Sequence, residues 1–214
     1  MKKENVASLI KEVCIDSYEQ AIKAESLGAS RLEICSELKF DGLTPRMEDV
    51  EKIIKNISIP IKVMIRPRKG NFIYNDKEIL IMEKEIDLFK SMGVKEFVLG
   101  ALTRLRTIDV NTIKKLIKKV NPMEVTFHKA IDQTYDIMKQ INVLTEIKGI
   151  NSILTSGGRK TAFEGMNKIN QIVKKFGSRF QIIAAGSITN ENLNNLSRNI
   201  LTNEFHGKNI IGKL

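Results

Sequence analysis

Cysteine is scarce: two residues of 214, Cys14 and Cys35, exclude a disulfide framework and make the reducing cytoplasm the expected compartment. Long apolar runs are absent. The N-terminus holds only the short stretch Val6 to Ile10, too little for a signal-peptide core, and nowhere do 18 apolar residues follow one another, so no membrane span is expected. There is no tryptophan, and aromatic residues make up only 6% of the chain, which leaves few platforms on which bases could stack. The net charge of +10 would otherwise invite nucleic acid or an anionic membrane. That charge is mostly lysine, 26 Lys against 9 Arg, interleaved with glutamate, and Lys, Ile and Asn together fill 74 positions. Such a skew is a composition-wide bias, so neither a nucleic acid nor a membrane is an expected partner. No G-x-G-x-x-G or G-x-x-x-x-G-K-[ST] fingerprint occurs, and no low-complexity linker divides the chain.

What is present is alternation. Short β-branched or apolar runs occur at 11–15, 31–35, 61–66, 96–99, 124–128, 152–155, 180–184 and 204–206. Between them lie stretches of helical spacing, such as Ile79, Met82, Ile86 and Phe89, with Asp, Asn or Thr in N-cap positions and Gly28 and Gly93 in C-cap positions. Strict βα alternation implies parallel strands joined by helical crossovers. Eight such units predict an α/β single-domain TIM (βα)8 barrel over residues 1–214. The alternative is an open doubly wound sheet, which usually has fewer strands and often a glycine fingerprint. Only Gly207 to Leu214 follow the last strand, so a reduced eighth unit is expected.

In a barrel strand, alternate side chains face the helices and the interior. Setting Val13, Ile15, Leu32, Ile34, Val63, Ile65, Val125, Phe127 and Phe205 outward turns Glu12, Cys14, Glu33, Cys35, Met64, Arg66, His128, Glu204 and His206 inward. A packed barrel core would be mostly Val, Ile and Leu, and buried charges are costly unless paired, so this polar interior marks a candidate site. The chain has only two histidines, and both fall at strand C-terminal ends, where barrel enzymes keep their chemistry. Glu33, Arg66, His128 and His206 are the candidate catalytic residues, with carboxylate and imidazole as acid and base. Arg66 and Arg68, with the glycine turns carrying Ser156, Gly157, Gly158 and Gly186, are the candidate site for a phosphate or carboxylate. Glu33 and Arg66, on neighbouring strands, are expected to pair. The N-terminal strand ends, with Lys11, Arg31, Lys62 and Phe180, show no convergent chemistry.

The segments Glu12-Val13-Cys14-Ile15-Asp16-Ser17, Arg31-Leu32-Glu33-Ile34-Cys35-Ser36, Gly42-Leu43-Thr44-Pro45, Val63-Met64-Ile65-Arg66-Pro67-Arg68, Thr126-Phe127-His128-Lys129-Ala130, Leu154-Thr155-Ser156-Gly157-Gly158 and Glu204-Phe205-His206 closely resemble the CutC copper homeostasis family, from about residue 12 to 207. Lys129 stands where that family usually has Arg. The resemblance implies a TIM barrel, a cytoplasmic homo-oligomer (dimer or tetramer) and a role tied to copper, with no enzymatic reaction attached. Soft thiolate and thioether ligands select Cu(I), and Cys14, Cys35 and Met64 fall inward at the same ends of three successive strands, which makes Cys14 and Cys35 the candidate metal ligands. Two expectations follow: a copper-handling protein that binds Cu(I), or a barrel enzyme acting on a small anionic molecule that carries phosphate or carboxylate.

Overall fold

The structure is a computed structural model describing residues 8–214; Met1 to Ala7, and with them the start of the Val6 to Ile10 stretch, lie outside the described residues. Eight strands form where the β-branched runs lie: β1 (Ile10–Ile15), β2 (Arg31–Ile34), β3 (Ile61–Met64), β4 (Glu96–Leu99), β5 (Glu124–Phe127), β6 (Ile150–Thr155), β7 (Gln181–Ala184) and β8 (Glu204–His206). All neighbours are parallel, and β8 returns to β1, so the sheet closes into a barrel and the open-sheet alternative is excluded. Seven helices follow the first seven strands: α1 (Tyr18–Ser26), α2 (Met47–Asn56), α3 (Asp76–Ser91), α4 (Val110–Val120), α5 (Ile137–Thr145), α6 (Ala162–Phe176) and α7 (Asn190–Asn199). None is long and apolar enough to cross a membrane.

Local chemistry sets the helix ends. Asn75 and Glu78 form a capping box at α3, and Asp109 accepts from the Thr112 N–H at α4. Gly28 and Gly93 take φ of 84° and 93° just beyond α1 and α3, a left-handed turn that glycine adopts without strain. After β8 no helix forms. Residues 207–214 make short bridges, Thr189 to Asn209 and Ile210 to Gly212, and Ile210 buries itself against the core.

The apolar core lies between barrel and helices. Outward Val13, Ile15, Leu32, Ile34, Val63, Phe97 and Phe205 pack with Val50, Ile53, Met82, Ile86, Leu116 and Ile172 from the helices, all essentially inaccessible. Each such burial contributes about 1.5–3 kcal/mol, so this layer holds the barrel closed. The outward phase follows the period of two, which commits the other set to the interior: Glu12 stands beside Arg31, Cys14 beside Glu33, and Glu12 beside His206.

Candidate functional site

At the C-terminal ends of the strands a cavity of about 510 Å³ opens, and Cys14, Glu33, Met64, Arg66, His128 and His206 line it. Arg66 and His128 lie just past the ends of β3 and β5, where the ladder stops and side chains can turn into the mouth. Ser156, Gly158 and Gly186 also line the cavity. Cys35, Gly157 and Arg68 do not.

Three neighbouring strands, β8, β1 and β2, bring together Cys14, Glu33 and His206, whose ligand atoms lie within 4.8 Å of one another. His206 Nδ1 is 2.9 Å from Glu12 Oε1, and its Nε2 lies 3.7 Å from Glu33 Oε2. Burial would push the His206 pKa down, but Glu33, Cys14 and Glu12 around it hold it well above the usual value. Burial, reinforced by the charge on Glu12, raises the Glu33 carboxyl, which keeps one oxygen, Oε1, without a partner. Cys35 does not join this trio. Its thiol donates to Glu33 Oε2 at 3.4 Å and packs with Met64, Val98 and Leu38, and burial, then the Glu33 charge, raises its pKa well above the usual thiol value. Parity turns both thiols inward: Cys14 has Glu33 and His206 as companions, while Cys35 packs against Met64, Val98 and Leu38.

Beneath the mouth, the N-terminal half of the interior is charged and convergent, contrary to expectation. Glu12 Oε2 accepts from Arg31 Nε at 2.5 Å and lies 3.2 Å from Lys62 Nζ; Arg31 Nη2 donates to Glu204 at 2.7 Å; Lys62 also donates to Thr126 at 2.8 Å and lies 3.6 Å from Glu96. Burial alone would raise the Glu12 carboxyl, but Lys62, His206 and Arg31 hold it well below the usual range. Lys62 is fully buried. The signal was present in the sequence, since Arg31 and Lys62 share the phase of Glu33 and Met64.

The expected Glu33–Arg66 pair does not form. Arg66 donates instead to three backbone carbonyls, those of Phe40 at 2.7 Å, Gly42 at 3.0 Å and Gly70 at 3.0 Å, and its guanidinium lies 4.7 Å over the Phe72 ring. The loops after β2 and β3 offer carbonyls closer to Arg66 than Glu33 is, and Glu33 turns to His206. The Nε of Arg66 remains unpartnered and buried. Arg68, expected beside it as an anion ligand, pairs with the Glu78 carboxylate of the α3 capping box, donates to Ile73 O at 2.6 Å, and lies over Tyr74.

The glycine turn after β6 is also spoken for. Gly157 and Gly158 take left-handed φ of 70° and 72°; Gly157 N–H donates to Thr155 Oγ1 at 2.9 Å, while its two neighbours turn theirs to Asp132. That carboxylate accepts from Ser156 N–H at 2.9 Å, Gly158 N–H at 2.8 Å and Thr155 Oγ1 at 2.5 Å. A ligand anion at Ser156, Gly157 and Gly158 would compete with a built-in one. Gly186 forms a separate turn, its carbonyl accepting from the first N–H of α6. His128 sits under Phe72, ring centroids 4.7 Å apart, and its Nδ1 accepts from Ala130 N–H at 3.2 Å. A side chain at Gly100 would meet that ring at 2.6 Å. Burial and the Arg66 charge lower the His128 pKa to about 3. The neutral ring then carries its proton on Nε2, which is buried without a partner. Phe72, which covers both Arg66 and His128, carried no signal in the sequence.

A model of the CutC family matches residues 9–211. The mouse protein named copper homeostasis protein cutC homolog is 38% identical over 91% of this chain and 71% of its own length. The family protein CutC of Glaesserella parasuis serovar 5 (strain SH0165) is 36% identical over 91% of this chain and 80% of its own. The crystal structure of CutC from Streptococcus agalactiae superposes with a TM-score of 0.89 at 29% identity, covering 94% of this chain and 99% of that one.

Proposed function

We infer, from the premise that this chain belongs to the CutC family, that it takes part in copper homeostasis by holding one Cu(I) ion as cargo at the barrel mouth, with Cys14 and His206 as ligands and Glu33 beside them. The observation that carries this reading is the convergence of a thiol, an imidazole and a carboxyl within 4.8 Å in a cavity wall. The donor set fits the ion: thiolate selects Cu(I), and imidazole suits copper. The surroundings fit as well, because Glu12 is bonded to Nδ1 of His206, the arrangement in which a carboxylate orients a ligating histidine through its other nitrogen. Binding through Nε2 and the Cys14 sulfur displaces the imidazolium and thiol protons, so affinity rises with pH. A free-thiol ligand needs a reducing compartment, which supports a cytoplasmic location. Titration of the reduced protein with Cu(I) against a competing chelator tests the reading. Cys14→Ser should weaken binding by a factor on the order of a hundred, judged from the loss of one of two strong ligands, while Cys35→Ser leaves it unchanged. Unchanged binding in Cys14→Ser would overturn the assignment.

A further inference from the structure

The cavity extends beyond the Cys14 sector to the ends of the strands β3 and β5, where two buried side chains each keep one nitrogen without a partner. Arg66 is 4% exposed and His128 3% exposed, and both line the cavity. Of the five N–H donors of a guanidinium, three are taken here by loop carbonyls; Nε–H has no partner, the buried Tyr74 hydroxyl lies beside the guanidinium, and no carboxylate lies within salt-bridge distance of Arg66 among the described residues. The His128 Nε2–H is a second free donor, on a ring fixed by Ala130 N–H and Phe72. A buried cation without a counter-ion and a buried donor without an acceptor are both expensive, and one oxyanion answers both.

The rim adds charge of the same sign. Lys129, Arg159 and Lys208 line the opening, and none has a carboxylate within 4.0 Å among the described residues. The acids on the walls are Asp41, Asp132 and Glu33. The oxygens of Asp132 are taken up by the turn after β6, and the four basic side chains Arg66, Lys129, Arg159 and Lys208 outnumber the three acids on the walls.

We propose that this sector binds a small organic oxyanion, a carboxylate or a phosphate, with one oxygen accepting from His128 Nε2–H and another from the free edge of Arg66. This differs from the glycine-turn site that the sequence pointed to, because the anion there is Asp132. It is independent of the copper reading, since no atom of Cys14 or His206 takes part. A cavity of about 510 Å³ has room for a metabolite-sized body beyond the anionic group.

Only two histidines occur in the chain, so the imidazole nitrogen signals of the ¹⁵N-labelled full-length protein resolve two rings. Sodium phosphate and sodium pyruvate, each titrated at fixed ionic strength, serve as probes, with sodium chloride as control. The expected result is a saturable shift of the His128 Nε2–H signal with phosphate or pyruvate and none with chloride; which probe saturates first separates phosphate from carboxylate. Arg66→Lys, which keeps the charge and loses the fork, should weaken binding roughly tenfold or more. If that variant does not fold, His128→Phe read by calorimetry carries the same expectation. Cys14→Ser should bind the probe as the parent does, so loss of copper binding there and loss of anion binding are separate results. No saturable shift with either probe, an equal shift with chloride, or unchanged affinity in both variants overturns the proposal.

Discussion

The two halves of the barrel interior are both charged, and they differ in how completely those charges are answered. In the lower half, Glu12, Arg31, Lys62 and Glu204 are joined by contacts of 2.5–3.2 Å, with Glu96 and Thr126 at the edge. In the upper half, Glu33 Oε1, Arg66 Nε and His128 Nε2 are buried with nothing to bond. A closed ion network beneath an open set of donors and acceptors separates holding the barrel from using it. Structural charges come with their partners, whereas a ligand-binding wall leaves some of its polar atoms for the ligand. Glu12 joins the halves, its Oε2 facing Arg31 and Lys62 and its Oε1 facing His206.

The contrast is most exposed to breakage from below. Arg31→Ala leaves Glu204 without its buried counter-ion and Glu12 with Lys62 and His206 alone, and should destabilise the fold by about 3–5 kcal/mol in urea unfolding. A cost below about 1 kcal/mol would mean that water replaces the guanidinium and that the lower half is no more structural than the mouth. Next in size, Arg66→Ala frees three loop carbonyls and should cost about 2–4 kcal/mol, without changing the titration of Glu33, because the two side chains are not paired.

A third test uses the two histidines, which titrate in opposite senses. His128 is held neutral with a folded pKa of about 3, so below its unfolded pKa of roughly 6.5 only the unfolded chain takes the proton, and stability falls as pH drops through that window. His206 is raised, so its contribution is present in full below roughly pH 6.5 and is lost as pH rises through its folded pKa. Removing the titration with His128→Gln should make the parent lose about 2 kcal/mol relative to the variant between pH 7 and pH 5. His206→Gln should flatten the alkaline side instead. A parent–variant difference for His128→Gln that is constant with pH would show that the ring reaches solvent. The smallest effect is expected at Glu33→Gln. Its carboxyl makes only long contacts, to the Cys35 thiol at 3.4 Å and His206 Nε2 at 3.7 Å, and Oε1 has no partner, so the amide should change stability by under about 1 kcal/mol, against the several expected at Arg31.

Much of this was legible in the chain itself. The eight strands, the closure into a barrel, the missing eighth helix and the inward phase of Cys14, Glu33, Met64 and His206 follow from period-two alternation and from the count of βα units. Both are local or additive properties of sequence. The same phase contained Arg31 and Lys62, which the reading of the strand N-termini passed over.

Partnership was not legible, because it depends on which groups the register and the loop paths bring within 3 Å. Parity turns Cys35 inward, but the packing of Met64, Val98 and Leu38 around it makes it core. The turn from Thr155 to Gly158 has the shape of an anion seat from its glycines alone, and only the path of the loop after β5 fills it with Asp132. Arg66 points at Glu33 on a flat map of strands. In the folded barrel, three carbonyls from the loops after β2 and β3 reach it first, and Glu33 meets His206 across the β8–β1–β2 seam. The sequence by itself determined which side chains enter the barrel, since alternation needs no more than neighbouring residues; the tertiary structure alone decided which of them are satisfied there, since a hydrogen bond exists only at a distance that closure of the sheet and the course of its loops set.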